Sequence, residues 1–361
     1  MRGLEPMRSR VDDVLGRFLG ARLEETGPGG AEQEFVSGIA DLVSRGGKRL
    51  RAALCVLGWV GAGGAVDDAI VRAGASLELL HACALIHDDV MDRSATRRGG
   101  VALHRGFAAR HARDSWHGDS EQFGIGAAIA AGDLCLVWAD RLLRESGLPA
   151  AAVERGRPVY DAMRAETIRG QYLDLVAQAR GSFDVDDALT VARTKTAACT
   201  TTGPLCFGGA LAGADGRLIA AYEAYGVALG LAFQLRDDQL GAFADPAVTG
   251  KPSGDDLRDG KCTVLLAEAY QRLDSAGRGR LRALVGRGTS DAVAELRGLL
   301  DDSGARDAVE ERIAMLGKQA IEALDAAAFA VPDDGDAADG GWGWGSVRDS
   351  LAGLVATVTR G

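Results

Sequence analysis

Aromatic side chains are scarce in this chain: five Trp, five Tyr and nine Phe make up 5% of 361 residues. Packing therefore falls to small and aliphatic side chains, which suits closely spaced helices. Cysteine is sparse as well. The six, at positions 55, 83, 135, 199, 206 and 262, stand singly in apolar surroundings with no Cys-x-x-Cys pair and no neighbouring His ligand set. They read as small buried hydrophobes in a reducing compartment. Positive charge is in deficit, with 41 basic against 51 acidic residues and a formal net charge of −10, so nucleic acid is not an expected partner. Alternating strand patterns are rare, and no run reaches the length of a membrane span free of charges or glycines. The first twenty residues, with Arg2, Arg8, Arg10, Asp12 and Asp13, do not read as a signal peptide. The expectation is a cytoplasmic protein with no stable membrane insertion.

What is present is helical period. Leu42, Leu50, Leu54 and Leu57, then Val71, Leu77, Leu80 and Ala84, then Ile129, Leu134, Val137 and Leu142 recur near three and four residues apart. Turn chemistry falls where helices should stop, at Gly61 to Gly64, Gly99-Gly100, Gly118-Asp119, Gly147 to Pro149, Gly181-Ser182, Gly213 to Gly216 and Asp245-Pro246. With 47% hydrophobic residues, no linker and no repeat of solenoid length, residues 1–361 predict an all-α, single-domain bundle of about ten or more helices. Gly203-Pro204 interrupts a helical stretch over residues 186–211 and predicts a kink, because proline removes the bond to the Thr200 carbonyl. Residues 110–122, with His111, Trp116 and His117, read as a polar loop. Residues 331–346, with Trp342 and Trp344, read as a Gly/Asp/Trp-rich loop before a last helix.

Two aspartate clusters stand out against this apolar background: Asp88-Asp89-Val90-Met91-Asp92, and Asp237-Asp238. Carboxylates four residues apart share a helical face, so Asp88 and Asp92 can grip the same hard cation. In apolar sequence such a pair is costly without positive compensation, and magnesium, which binds oxygen ligands and bridges to phosphates, is the natural candidate. Short basic runs beside glycines supply the phosphate half: residues 46–51, 93–98, 193–196, 249–252 and 259–261. Carboxylate, metal and cationic side chain together are what a diphosphate needs.

The motif set resembles the trans-isoprenyl diphosphate synthases, most of all the bacterial geranylgeranyl diphosphate synthases. The resemblance is carried by Gly46-Gly47-Lys48-Arg49-Leu50-Arg51, Glu78-Leu79-Leu80-His81, the first aspartate cluster with Arg97-Arg98-Gly99, Gly170-Gln171-Tyr172-Leu173-Asp174, Lys195-Thr196, Phe233-Gln234-Leu235-Arg236-Asp237-Asp238, Gly250-Lys251-Pro252 and Gly254 to Lys261. One such motif alone is weak; this many in order are strong. The resemblance implies an isoprenoid synthase fold around a central cavity and a usual homodimer. It also implies a magnesium-dependent transferase, with three ions per site, that joins isopentenyl diphosphate to the allylic C5, C10 or C15 diphosphates (DMAPP, GPP, FPP).

Carried over residue by residue, the resemblance makes Asp88, Asp92 and Asp237 metal ligands, supported by Asp89 and Asp238. Arg97, Lys195 and Lys251 hold the leaving diphosphate, with Lys261 approaching from outside and Asp255 and Asp256 reaching metal-bound water. Lys48, Arg51, His81 and Arg98 hold the diphosphate of the incoming substrate. Thr196 and Gln234 stabilise the cation. For Gln171 and Asp174, helix-to-helix hydrogen bonding competes evenly with a site role. The second cluster departs from the pattern, because its fifth position is Gly241 where many relatives carry a third aspartate.

Product length is expected to be set beside the first cluster by Cys83, Ala84 and Leu80. Cys83 and Ala84 lie about 6 to 7.5 Å deeper along the axis than Asp88. Both are small where relatives making shorter chains carry an aromatic, which favours a C20 product, with C25 or longer, or C15, as alternatives. A class I terpene cyclase shares the ionisation chemistry but needs no second diphosphate pocket. A non-catalytic partner subunit has no need of the intact aspartates and lysines.

Overall fold

The computed structural model describes residues 5–243, 254, 257–258, 260–327 and 344–360. Lys251, Asp255, Asp256 and most of the 331–346 segment lie outside the described residues. Four helices, α1 (Glu5–Glu25), α2 (Ala31–Ser44), α3 (Leu50–Gly61) and α4 (Asp68–Met91), lead into a hairpin of β1 (Thr96–Arg97) and β2 (Gly100–Val101). Then come α5 (Leu103–Arg113), α6 (Ser120–Arg144), α7 (Ala150–Arg180), α8 (Val185–Val191), a π-helix over Ala192–Thr202, α9 (Gly203–Ala212) and α10 (Gly216–Phe243). The final group is α11 (Val264–Arg272), α12 (Ser275–Leu284), α13 (Ser290–Asp302), α14 (Ala305–Ala327) and α15 (Trp344–Thr359). The all-α architecture expected from the periodicity is the one observed.

Local chemistry sets the boundaries. The Asp67 side chain accepts from the N–H groups of Ala69 (2.9 Å) and Ile70 (3.0 Å) at the start of α4, satisfying donors that no intrahelical carbonyl reaches. Asp119 does the same for α6 through Glu121 and Gln122. The helix α7 closes on Gly181 at φ 60° and α9 on Gly213 at φ 88°, left-handed positions that glycine adopts without a Cβ penalty.

Two sequence expectations are corrected. Residues 110–113 belong to α5, and the connection shrinks to 114–119. The polar character there is a helix surface: Arg110 pairs with Glu34 and Asp114, while His111 is buried against the rings of Trp116 and Phe123. The expected kink at Pro204 also moves. Pro204 lies in the first turn of α9, where a missing N–H matters little. The departure from α geometry is the eleven-residue π-helix before it, closed by the Gly203 N–H on the Ala198 carbonyl.

The core gathers side chains from almost every helix, and four of its aromatics, Tyr160, Tyr222, Tyr225 and Phe207, are fully buried. Backbone contact between helices depends on missing side chains: a Cβ on Gly208 would lie 1.8 Å from the Cys55 carbonyl oxygen, so α9 rests directly on α3. By length and hydropathy α4, α6 and α10 could each cross a membrane; within the fold, 67% of the apolar window of α4 is buried but only 39% of that of α6. The exposed remainder of α6 bears on assembly below.

Candidate active site

The last turn of α4 carries Asp88 and Asp89, and Asp92 caps it. The Asp92 N–H donates to the Asp88 carbonyl at 2.8 Å, so helical spacing persists and the two side chains stay one turn apart. Arg93, at φ 54°, then ends the helix and turns the chain into the hairpin. Both central residues of the hairpin turn have positive φ, Arg98 at 51° and Gly99 at 71°, the combination of a type I′ turn. Consecutive side chains at a strand end point apart. Arg97 accordingly donates from Nε to Asp89 Oδ1 (2.8 Å), with its Nη2 3.5 Å from Asp88 Oδ2, while Arg98 donates to the Leu42 carbonyl at 3.2 Å.

The π-helix brings Lys195 to the same carboxylates. Its Nζ donates to Asp88 Oδ1 (3.0 Å) and to Asp174 Oδ2 on α7 (2.7 Å). Gly170 permits this, because α7 lies so close that a Cβ there would sit 2.3 Å from the Lys195 backbone nitrogen. From the segment before α11, Lys261 Nζ lies 2.8 Å from Asp92 Oδ2. Four carboxylates thus meet three cations in a cluster whose side chains are only 2 to 24% exposed. Among the described residues one negative charge is left over, and Asp89 Oδ2 is buried without a hydrogen-bond partner there. Burial alone would raise the Asp88 carboxyl, but Lys195, Lys261 and Arg97 outweigh it and hold it below the usual range. For Asp89, burial together with neighbouring Asp88 outweighs Arg97, and its carboxyl is raised.

The second cluster joins through a relay. Thr196 Oγ1 donates to Gln234 Oε1 (2.7 Å), and Gln234 Nε2 donates to Asp238 Oδ1 (2.6 Å). Asp238 is buried and Asp237 is exposed, a division of labour between adjacent carboxylates. At Gly241, where the pattern would place a third carboxylate, the backbone carbonyl instead accepts from the Gly254 N–H at 2.9 Å. Among the described residues no three acidic, His or Cys side chains form a ready-made metal cage.

A separate cationic group lies around His81. Its pKa is driven well below the usual value by burial and by Arg51, Arg98, Arg97 and Arg49, and its Nδ1 is buried without a partner. Arg51 donates to Thr200 Oγ1 on the π-helix (2.7 Å). Arg49 serves the fold: at φ 47° it opens α3 with its guanidinium on Asp12 (2.7 Å), the Val43 carbonyl (2.7 Å) and Glu78 (3.7 Å). Lys48 beside it is exposed.

Ala84 and Leu80 continue the face of Asp88, four and eight residues back. Cys83, five residues back, lies between α6 and the π-helix residue Cys199. Its Sγ is 3.8 Å from His87 Nδ1, and His87 Nε2 meets the Ile129 carbonyl of α6 at 3.1 Å. Burial, with Asp133 and Cys199 nearby, pushes the Cys83 thiol up to about 12.

Gln171 donates to the Met91 sulfur at 3.5 Å, a helix-to-helix contact, whereas Asp174 joins the charged cluster. Sequence reasoning passed over His87, Thr200 and Arg236. His87, between Ile86 and Asp88, and the threonine run at 200–202 gave no chemical signal of their own; Arg236 stood only as a member of the motif around Asp237.

A helical bundle that brings two aspartate clusters and two groups of cations together defines an isoprenoid synthase. The chain belongs to the polyprenyl synthetase family, whose model matches residues 32–301. Among its relatives are the geranylgeranyl diphosphate synthase of Mycobacterium tuberculosis, 36% identical over 276 residues, covering 76% of this chain and 69% of that one. The geranylfarnesyl diphosphate synthase of Aeropyrum pernix is 33% identical over 288 residues, covering 78% of this chain and 84% of that one. The crystal structure of the geranylgeranyl pyrophosphate synthase of Corynebacterium glutamicum, complexed with isoprenyl diphosphate and magnesium, superposes with a TM-score of 0.89 at 40% identity, covering 99% of both chains.

Proposed function

We propose that the protein is a magnesium-dependent trans-prenyltransferase that elongates allylic diphosphates with isopentenyl diphosphate to the C20 product, geranylgeranyl diphosphate. The observation that carries this reading is the pair of cationic groups, one locked to the aspartates (Arg97, Lys195, Lys261) and one around His81 (Arg51, Arg98). Two groups suit two diphosphates, which condensation requires and cyclisation does not. His81, held neutral, offers a hydrogen bond to phosphate without adding charge to an arginine-rich pocket.

Asp88 and Asp92 on one side and Asp237 on the other suit hydrated magnesium, which needs few protein oxygens when phosphates complete its shell. The surplus negative charge of the first cluster favours a cation there. Magnesium held by these carboxylates would supply the charge neutralisation that makes the diphosphate a leaving group. Lys195 and Arg97 are placed to transfer their hydrogen bonds from Asp88 to the departing phosphate oxygens. The Thr196–Gln234 pair aims oxygen dipoles toward the developing allylic cation, and buried surroundings keep out the water that would quench it.

The exposed face of α6, with Ile129, Val137 and Phe123, is apolar and supports a homodimer, as does the family resemblance. Six free cysteines suit the cytoplasm. The reading is tested by incubating the protein with isopentenyl diphosphate, magnesium and, separately, C5, C10 and C15 allylic diphosphates, and reading product masses. C20 from at least one primer is expected, and no elongation from any would refute it. Cys83→Phe puts a ring between α4 and its neighbours and is expected to shorten the main product by one C5 unit. An unchanged product mass in folded variant protein would place the tunnel floor elsewhere.

A further inference from the structure

Asp237 has no hydrogen-bond or ion-pair partner of its own among the described residues, so its position depends on how α10 is held. One hold is the Thr196–Gln234–Asp238 relay on the π-helix side. The other is Arg236. Its side chain, 13% exposed, forms a two-pronged pair with Glu310 of α14, Nη1 to Oε1 at 2.5 Å and Nη2 to Oε2 at 2.8 Å. Nε donates to the Val358 carbonyl at 3.0 Å, Nη2 also approaches the Thr359 carbonyl at 3.5 Å, and Nη1 reaches Gln239 Oε1 at 3.0 Å. Gln239 in turn donates to the Arg306 carbonyl at 3.1 Å.

Val358 and Thr359 close α15, and the carbonyls of a helix's last turn have no intrahelical donors. A guanidinium there satisfies them and complements the negative end of the helix. The fit is close: a Cβ on Gly317 of α14 would lie 2.5 Å from the Thr359 methyl. A second tie, from the Tyr225 hydroxyl to the Leu351 carbonyl at 2.9 Å, joins α15 to α10 about three turns away from Asp237. The two holds on α10 therefore grip it from different sides within the same turn as the second aspartate cluster.

We infer that Arg236 is the positioning residue for Asp237, and that the end of the last helix, more than 120 residues further along the chain, belongs to the apparatus that sets metal grip at the second cluster. This rests on the magnesium-dependent reading above. It predicts a graded response. Arg236→Met leaves Asp237 chemically intact but free to shift with α10, and a displacement near 1 Å is enough to lower turnover by about tenfold or more. The half-saturating magnesium concentration is expected to rise by about tenfold in that variant. Arg236→Lys, which reaches Glu310 with a single nitrogen and gives up the planar fork, recovers part of the loss. Tyr225→Phe loosens α15 away from the cluster and keeps magnesium dependence within about twofold of wild type.

A readout independent of turnover is the shift in melting temperature on adding magnesium with inorganic diphosphate, expected to be clear in wild type and diminished in Arg236→Met. Folded Arg236→Met with wild-type magnesium dependence and melting shift overturns the inference. So does Tyr225→Phe matching the loss in Arg236→Met, since generic loosening of α15 then explains both. Where Arg236→Met does not fold, Glu310→Gln decides, with a rise of about threefold in the magnesium requirement supporting the inference and none overturning it. Wild-type protein that elongates no primer refutes the functional reading instead, while the melting experiment still reports on Arg236.

Discussion

Asp88→Ala is expected to lower turnover by about a thousandfold or more while leaving the fold intact, equivalent to about 4 kcal/mol of transition-state stabilisation. The asymmetry follows from the partners. Among the described residues Asp88 is the one carboxylate that touches both Lys195 and Arg97, so its loss removes a proposed metal ligand and releases the two cations that face the departing diphosphate. Neither cation is orphaned, because Lys195 keeps Asp174 and Arg97 keeps Asp89. Removing one carboxylate also removes the surplus negative charge counted among the described residues, so unfolding by urea should differ little from wild type. Breaking a buried pair outright, by contrast, typically costs about 3 to 5 kcal/mol. Steady-state kinetics beside a denaturation curve separates the two effects, and turnover within about tenfold of wild type would sink the proposed ligand role.

Gly170→Ala is expected to cost about 2 to 3 kcal/mol of stability and about a hundredfold in turnover, although position 170 carries no chemistry. The added methyl would lie 2.3 Å from the Lys195 nitrogen, 2.6 Å from the Thr194 carbonyl carbon and 2.7 Å from the Lys195 Cα. All three are backbone atoms of the π-helix, so no side chain can swing aside; α7 and the π-helix must part. That separation carries Asp174 away from Lys195, and Lys195 away from Asp88. Gly126→Ala makes a useful comparison, because a Cβ there meets nothing within 4 Å and should be tolerated. A Gly170→Ala enzyme with wild-type kinetics and melting temperature would show that the two helices can separate without moving Lys195.

Charge excess and lost packing thus act on one cluster by different routes, and the comparison shows how far the sequence reaches. Helix positions were legible because caps and period are local: Asp67, Asp119, Gly181 and Gly213 act within a turn of their own residues. Asp88 and Asp92 could be paired from spacing alone, since one helix carries both. The π-helix was not legible in the same way. Its i→i+5 ladder is accommodated by α7 and α10 pressing on it through Gly170, Gly226 and Gly230, contacts that no window of sequence contains. Pro204, the visible irregularity, drew attention two turns too far along.

The same division runs through the charged residues. Residues 46–51 announced phosphate chemistry as a run, yet the fold gives Arg49 to Asp12, Val43 and Glu78, leaving Lys48 and Arg51 for a ligand. Arg97 and Arg98, neighbours in sequence, diverge because the I′ turn places them on opposite sides, one to the aspartates and one to Leu42. The sequence by itself determined the helical class, the two aspartate clusters and the residue types that meet diphosphates, since each depends on short-range spacing and composition. Only the tertiary structure decided which cation serves which carboxylate, that Asp174 joins them, and that Arg236 ties Asp237 to the last helix. Those pairings depend on distances between segments remote in the chain, which helix packing sets and local sequence cannot encode.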